Sequence, residues 1–139
     1  MKKVLLDTNI VLDFALKREP YYENAATILT AIANGNVCGY ITASMATDIF
    51  YLLQTTNGKS FALNTLSDLI TILDVLSVYD KDVYSALHLG WDDFEDALQA
   101  QVAVRNGMNA IVTRNSKDYK KLQTVDVILP TDFHSFIQI

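Results

Sequence analysis

The chain has 139 residues, half of them hydrophobic and 19% charged: enough apolar material to bury a core in one domain, and too much for wholesale disorder. A formal net charge of −5 argues against nucleic-acid binding driven by the whole-molecule field, but permits a local basic rim or an acidic pocket that takes cations. No apolar run approaches the roughly 18 residues of a membrane span, the stretch before Asp7 is too short for a secretory leader, and a lone cysteine excludes an internal disulfide framework and predicts a reducing, cytoplasmic setting.

The first predicted strand, 3–6, runs directly into Asp7 in "VLLDTNIVLDF". A helical pattern over 22–34 is closed by "ANGN", where Gly supplies a left-handed cap. A strand over 37–42 contains Cys38, which reads as a small buried hydrophobe. Helical patterns at 44–55, closed by "TTNG", and at 60–75 lead to a strand at 76–79. Helices at 81–89 and 93–105, the latter closed by "RNG", precede strands at 110–113 and 125–129. This alternation predicts a three-layer α/β/α fold with a mainly parallel sheet of about five strands, in a single domain spanning 1–139. Functional groups in such sheets gather beyond the carboxyl ends of the strands.

Several acids stand where such a site would be built. Asp7 follows the first strand at once; it reads either as a helix cap or as a functional carboxylate. Asp48 in "ITASMATDIFYLL" lies at the edge of the apolar stripe Met45, Ile49, Leu52 and Leu53. A partly buried carboxylate there calls for a cation or strong donors, the plainer reading being a boundary residue that reaches water. In "WDDFEDALQAQVA", Asp93, Asp96, Ala100 and Ala103 share one helical stripe, so Asp93 is either an N-cap with Asp96 at the third position or part of a charged first turn. "TRNSKDY" places Thr113, Asn115 and Asp118 just past a strand, where they also suit a turn. If acids from these separated segments converge, their repulsion is tolerable around a hard divalent ion, Mg²⁺ or Mn²⁺, which accepts carboxylates, waters and phosphate oxygens. His88 and His134 belong to no metal-ligand spacing, and no Gly-rich phosphate loop competes for the reading.

Together "LLDTNIVLDF", "ITASMATDIFYLL", "DFEDALQAQVAVRNGMNAIVTRNSKDY" and "ILPTDF" resemble, in order and over nearly the whole chain, the PIN-domain nucleases, with the nearest look to bacterial toxins of the VapC-like type. The resemblance implies a metal-dependent ribonuclease using Mg²⁺ or Mn²⁺ and leaving 5′-phosphate and 3′-hydroxyl ends. It puts Asp7, Asp48 and Asp96 at three acidic positions, Asp48 where most relatives carry Glu, and Asn115 where many have a fourth Asp. Thr8, Asn9 and Thr113 match the polar residues that support the acids, and Asp93 or Asp118 could compensate for the neutral Asn115. Toxins of this type usually dimerise and are neutralised by a small antitoxin protein, so a homodimer and such a partner are implied.

An acidic protein still needs cations to attract RNA. Lys17, Arg18, Lys59, Arg114, Lys117, Lys120 and Lys121 are candidates for a phosphate-holding rim, Arg114 foremost because it adjoins Asn115; ordinary surface solubility is the plain reading of each lysine. Residues 50–53 and 60–73 carry apolar side chains suited either to a dimer interface or to the core. Two alternatives stay open: a catalytically silent PIN-like module that binds RNA or protein, and a receiver-like phosphoacceptor domain, which would want an acidic pair after strand one.

Overall fold

The computed structural model describes residues 1–119, 122 and 124–138. The first strand, β1 (Lys3–Leu6), has Val4, Leu5 and Leu6 fully buried, as expected of a strand covered on both faces. It ends at Asp7, whose extended backbone (φ −66°, ψ 153°) and side chain cap α1 (Thr8–Ala15). Helix α1 was absent from the predicted elements; its eight residues bury Ile10, Val11 and Leu12 in succession, so no polar face marks it in the sequence.

After α2 (Tyr22–Ala33) come β2 (Cys38–Thr42) and α3 (Ala43–Asn57). The Thr42 hydroxyl accepts from the Met45 amide at 3.1 Å to cap α3, which buries Met45, Ile49 and Leu53 at i, i+4 and i+8. Next are α4 (Lys59–Leu69) and β3 (Leu73–Leu76). Here the structure corrects the expected elements: the helix stops at Leu69 and not at 75, and the strand begins at Leu73 and not at 76. Thr71 turns its hydroxyl back on the Asp68 carbonyl, and residues 73–76 pair with Gly39–Thr42 of β2, so ladder hydrogen bonds take the aliphatic run that periodicity alone assigns to a helix.

The chain continues through α5 (Asp80–Leu89), α6 (Phe94–Arg105), β4 (Ala110–Val112), a 3₁₀ turn (Ser116–Asp118), β5 (Asp126–Ile128), a second 3₁₀ turn (Pro130–Asp132) and α7 (Phe133–Ile137). All the strand pairings are parallel, in the order β3-β2-β1-β4-β5. The connections β1→β2→β3 step one way across the sheet and β3→β4 returns across it, so the right-handed rule puts α1–α4 on one face and α5–α6 on the other. Packing of α1 on α2 and α3, of α3 on α4, and of α5 on α6 follows that division, giving a three-layer α/β/α sandwich.

Two details set how closely the layers approach. A Cβ on Gly39 would stand 2.4 Å from Ile32 Cδ1 and 2.9 Å from Leu73 Cδ2, so only glycine lets α2 settle on β2. On the other face Ala97, Ala100 and Ala103 are buried along α6, and Arg105 at its end makes a two-pronged ion pair (2.8 Å each) with buried Asp82 of α5. Cys38 is half-exposed, its Sγ 3.5 Å from Met1 Sδ, and so is less buried than expected because it opens an outer part of β2. No helix among the described residues is long and apolar enough to cross a membrane.

Candidate active site

The strand order reverses beside β1: the chain builds β2 and β3 to one side, then returns to lay β4 on the other. Such a switch point opens a crevice at the carboxyl ends of the two strands. Here it falls between Asp7, after β1, and Thr113, after β4. The Asp7 amide donates to the Val112 carbonyl at 2.9 Å, extending the β1–β4 ladder by one residue. The Thr113 hydroxyl then donates to Asp7 Oδ2 at 2.7 Å, while Asp7 Oδ1 accepts from the Thr8 amide at 2.8 Å. Thr113 Oγ1 also accepts from the Asn115 amide at 3.1 Å, so one fully buried hydroxyl sets both the first acid and the loop after β4.

Around this pair lies a cavity of about 380 Å³ lined by Asp7, Thr8, Asn9, Asp48, Tyr51, Leu52, Asp93, Glu95, Asp96, Asn115 and Asp118. Asp48 comes from the second turn of α3. Asp93 caps α6, its Oδ1 accepting from the Asp96 amide at 3.0 Å, so the capping reading of Asp93 holds while the residue also faces the cavity. Asp118 ends the 3₁₀ turn after β4. Every sequence-predicted acid and supporting polar residue thus comes together except Thr113, which sits beneath Asp7. Among the described residues no Lys or Arg lines the cavity.

The electrostatics follow from crowding like charges at the edge of a core. Burial pushes the Asp7 carboxyl above its ordinary range, the hydrogen bonds from Thr113 and Thr8 oppose that, and Asp93 adds to the rise. Asp96 is pushed up to about 7, by burial first and then by Asp93, Asp7 and Asp118. Glu95 is raised by partial burial and by Asp48, whose carboxyl it meets at hydrogen-bonding distance. Burial and the negative charge of Asp7 and Asp96 likewise push the Tyr119 phenol upward; Tyr119 is 4% exposed, stands beside Asp96, and packs edge-on against Trp91.

The basic candidates fall elsewhere. Arg114 donates to both oxygens of Asp13 (2.8 and 3.3 Å) and lies 3.8 Å over the Tyr21 ring, lining a separate cavity of about 180 Å³. Arg18 lies 3.8 Å from Asp13 and donates to Asn9 Oδ1 at 3.3 Å. Lys117 lines a shallow recess with Trp91, Asp92, Asp93 and Asp118, next to the acidic cavity. Lys120 and Lys121 lie outside the described residues.

Sequence reading passed over Asp13, Glu95 and Tyr119. Asp13 is an acid within an apolar run, visible as a site needing a partner once 8–15 is read as helical. Glu95 was masked by the stronger capping pattern of Asp93 and Asp96. Tyr119 shows nothing until its neighbours are placed.

The donor set is all hard oxygen, carboxylates with Thr and Asn, which suits Mg²⁺ or Mn²⁺ better than a soft or borderline ion. No three His, Cys, Asp or Glu side chains among the described residues already stand at metal-ligand spacing. The cavity is an open acidic cup.

Among protein families, the model of the PIN domain matches residues 3–117. A comparison with curated proteins finds no match. Among solved structures, the chain is similar to DNA-bound VapBC from Salmonella typhimurium (TM-score 0.71, 16% identity, covering 94% of this chain and 99% of that one). It is also similar to VapBC2 from Rickettsia felis bound to a fragment of its promoter DNA (TM-score 0.68, 18% identity, 91% and 98%). A third likeness is to VapC20 of Mycobacterium tuberculosis, a toxin that cleaves the sarcin-ricin loop (TM-score 0.64, 16% identity, 78% and 86%). At these identities the likenesses establish the fold.

Proposed function

The chain belongs to the PIN-domain family, and from that membership we propose that it is a divalent-cation-dependent ribonuclease working in the acidic cavity at the β1–β4 switch point. One observation carries this reading: carboxylates from β1, α3, α6 and the loop after β4 share one cavity with no lysine or arginine in its lining among the described residues. Such repulsion is retained where a cation and a phosphate are to be bound.

Asp7, Asp48 and Asp96 would hold Mg²⁺ or Mn²⁺, with Asp93 and Asn115 at the edge of the set. A cation bound there supplies activation of water and neutralisation of charge on phosphate oxygens. Thr113 keeps the Asp7 carboxylate in one orientation, and Asn115 lends a neutral oxygen. Asp48 takes the proton of the attacking water, and in-line displacement leaves a 5′-phosphate and a 3′-hydroxyl. Arg18 and Lys117 flank the cavity and would contact backbone phosphates without choosing sequence; Arg114 serves the same segment by anchoring it to Asp13.

The VapBC complexes among the similar structures support a small antitoxin protein as partner, and a cytoplasmic place of action follows from an RNA substrate. Exposed Tyr51 and Leu63 on α3 and α4 suit a homodimer contact, whereas Leu53, Ala62 and Leu69 of the same segments belong to the core. The receiver-like alternative is set aside by family membership and by a strand order other than 2-1-3-4-5.

The test is cleavage of RNA by the pure protein with Mn²⁺, comparing wild type with Asp7→Asn and Asp96→Asn. Cleavage by wild type and its loss in both variants is expected; equal cleavage by all three refutes the assignment. A second reading, a silent RNA- or protein-binding module, is favoured by the neutral Asn115 and the short Asp48 side chain. Calorimetry that finds no metal binding, with or without RNA, would decide for it.

A further inference from the structure

We infer that the recess beside the acidic cavity is a nucleobase site, where Trp91 stacks the base next to the scissile phosphate and guanine is preferred. This rests on the nuclease reading above and adds to it a determinant of which RNA is bound. The recess, about 310 Å³ and lined by Trp91, Asp92, Asp93, Lys117 and Asp118, shares Asp93 and Asp118 with the acidic cavity. The two spaces therefore meet along one wall. A strand with its phosphate in the first can lay the adjoining base in the second.

The chain holds an aromatic ring ready there. Gly90 closes α5 in the left-handed conformation (φ 65°), and Trp91 follows in the short connection to α6. The indole packs against the cluster of Ala86, Ala97 and Leu98 and stands edge-on to Tyr119, ring centroids 6.1 Å apart. Its orientation is thus set by the core, while its half-exposed remainder lines the recess. A ring fixed in this way loses little freedom on binding and offers a stacking surface to any base.

The groups around the ring select among bases. Carboxylates only accept hydrogen bonds, so a base edge entering the recess has to donate. Asp93 gives Oδ1 to the Asp96 amide, and the side chains of Asp92 and Asp118 make no hydrogen bond among the described residues. Lys117 forms no ion pair among the described residues, although three carboxylates share its recess, which leaves it for a phosphate. Guanine presents two adjacent donors, N1–H and N2–H₂, that match the two oxygens of one carboxylate. Uracil presents a single N3–H between two carbonyl oxygens, which carboxylates repel.

Trp91 is the only tryptophan of the chain, so its emission reports on this site alone. The full-length protein is titrated in Ca²⁺, a hard ion that takes oxygen ligands. The probes are a seven-uridine strand and the same strand with one central guanosine. Anisotropy of end-labelled strands reads binding, and Trp91 emission with unlabelled strands reads stacking. The guanosine strand is expected to quench Trp91 and to bind about 5–100-fold more tightly than the uridine strand. Trp91→Leu should weaken its binding about 5–100-fold, and Trp91→Tyr, which keeps a ring, should recover most of that. The wild-type emission decides even where Trp91→Leu proves unstable. Binding with unchanged Trp91 emission, or equal affinity for the two strands, overturns this inference, and cleavage of the same strands with Mn²⁺ then leaves the nuclease reading standing. Strands neither bound nor cut overturn that reading and this inference with it.

Discussion

The hydroxyl of Thr113 donates to Asp7 Oδ2 at 2.7 Å across the β1–β4 seam, and the same oxygen accepts the amide of Asn115 at 3.1 Å. This contact joins residues 106 positions apart, and it ties the orientation of the first acid to the register of the two central strands. Thr113→Val keeps the shape and β-propensity of the side chain but removes both bonds. Because one partner is a carboxylate, the expected loss is about 1.5–3 kcal/mol of stability. Urea unfolding at pH 7 measures it, and RNA cleavage is expected to fall with it. An unchanged unfolding midpoint would show that the bond orders nothing.

The pH dependence of the cation-free protein follows from Asp96, whose folded-state carboxyl is pushed up to about 7, first by burial and then by Asp93, Asp7 and Asp118. Between the unfolded value near 3.8 and 7 the native state retains a proton that the unfolded chain has lost. Stability therefore falls as pH rises through that window, and the deficit is complete above 7. Asp96→Asn removes it, so at pH 8 without divalent ions the variant should melt about 2–4 °C above wild type. Adding Mn²⁺ is expected to raise the wild-type midpoint more than the variant's. Thermal melts at pH 5 and 8 check both, and a variant less stable at pH 8 contradicts the account.

Arg114 is held by a carboxylate at 1% exposure, Asp13, and by the face of Tyr21. Arg114→Ala strands that carboxylate in the core. Breaking such a pair costs about 3–5 kcal/mol, which Arg18, 3.8 Å away, offsets only in part. Replacing both partners, with Asp13→Leu and Arg114→Met, is expected to recover most of the loss. Denaturant midpoints of the single and double variants test this. If the single variant is as stable as wild type, Arg114 is free for another task, and its phosphate contact would appear as a salt slope of RNA binding lower by about 1.

Gly39→Ala places a Cβ against Ile32 and Leu73, and the expected cost of overpacking is about 1–3 kcal/mol. Trimming the obstructing side chain in the same background, Ile32→Val, should return part of it, a coupling that a double-mutant cycle on unfolding free energies measures. Additive losses would mean that the backbone moves and the side chain does not.

The sequence carried the α/β alternation, the parallel sheet and most helix ends. Those features rest on local rules: β-branched runs, glycines past helix ends, apolar stripes at 3.6 spacing. It missed α1, a helix of only eight residues whose apolar Ile10, Val11 and Leu12 stand in succession, and it shifted β3, since "LITILDVL" satisfies a helical pattern and a strand equally until β2 supplies a partner. The acids at 7, 48, 93, 96 and 118 were legible as candidates because a carboxylate beside a buried strand or on the edge of an apolar stripe is costly.

Sequence alone therefore determined which donor atoms the chain offers, since hard oxygen donors placed after strands are a matter of residue type and spacing. Which acids touch was decided by the tertiary structure. The Gln99–Ser44 hydrogen bond links α6 to the start of α3, near where Glu95 meets Asp48, and the loop after β4 commits Arg114 to Asp13 of α1. Both are contacts between residues far apart in the chain. They depend on how whole helices settle on the sheet, and no window of neighbouring residues encodes that.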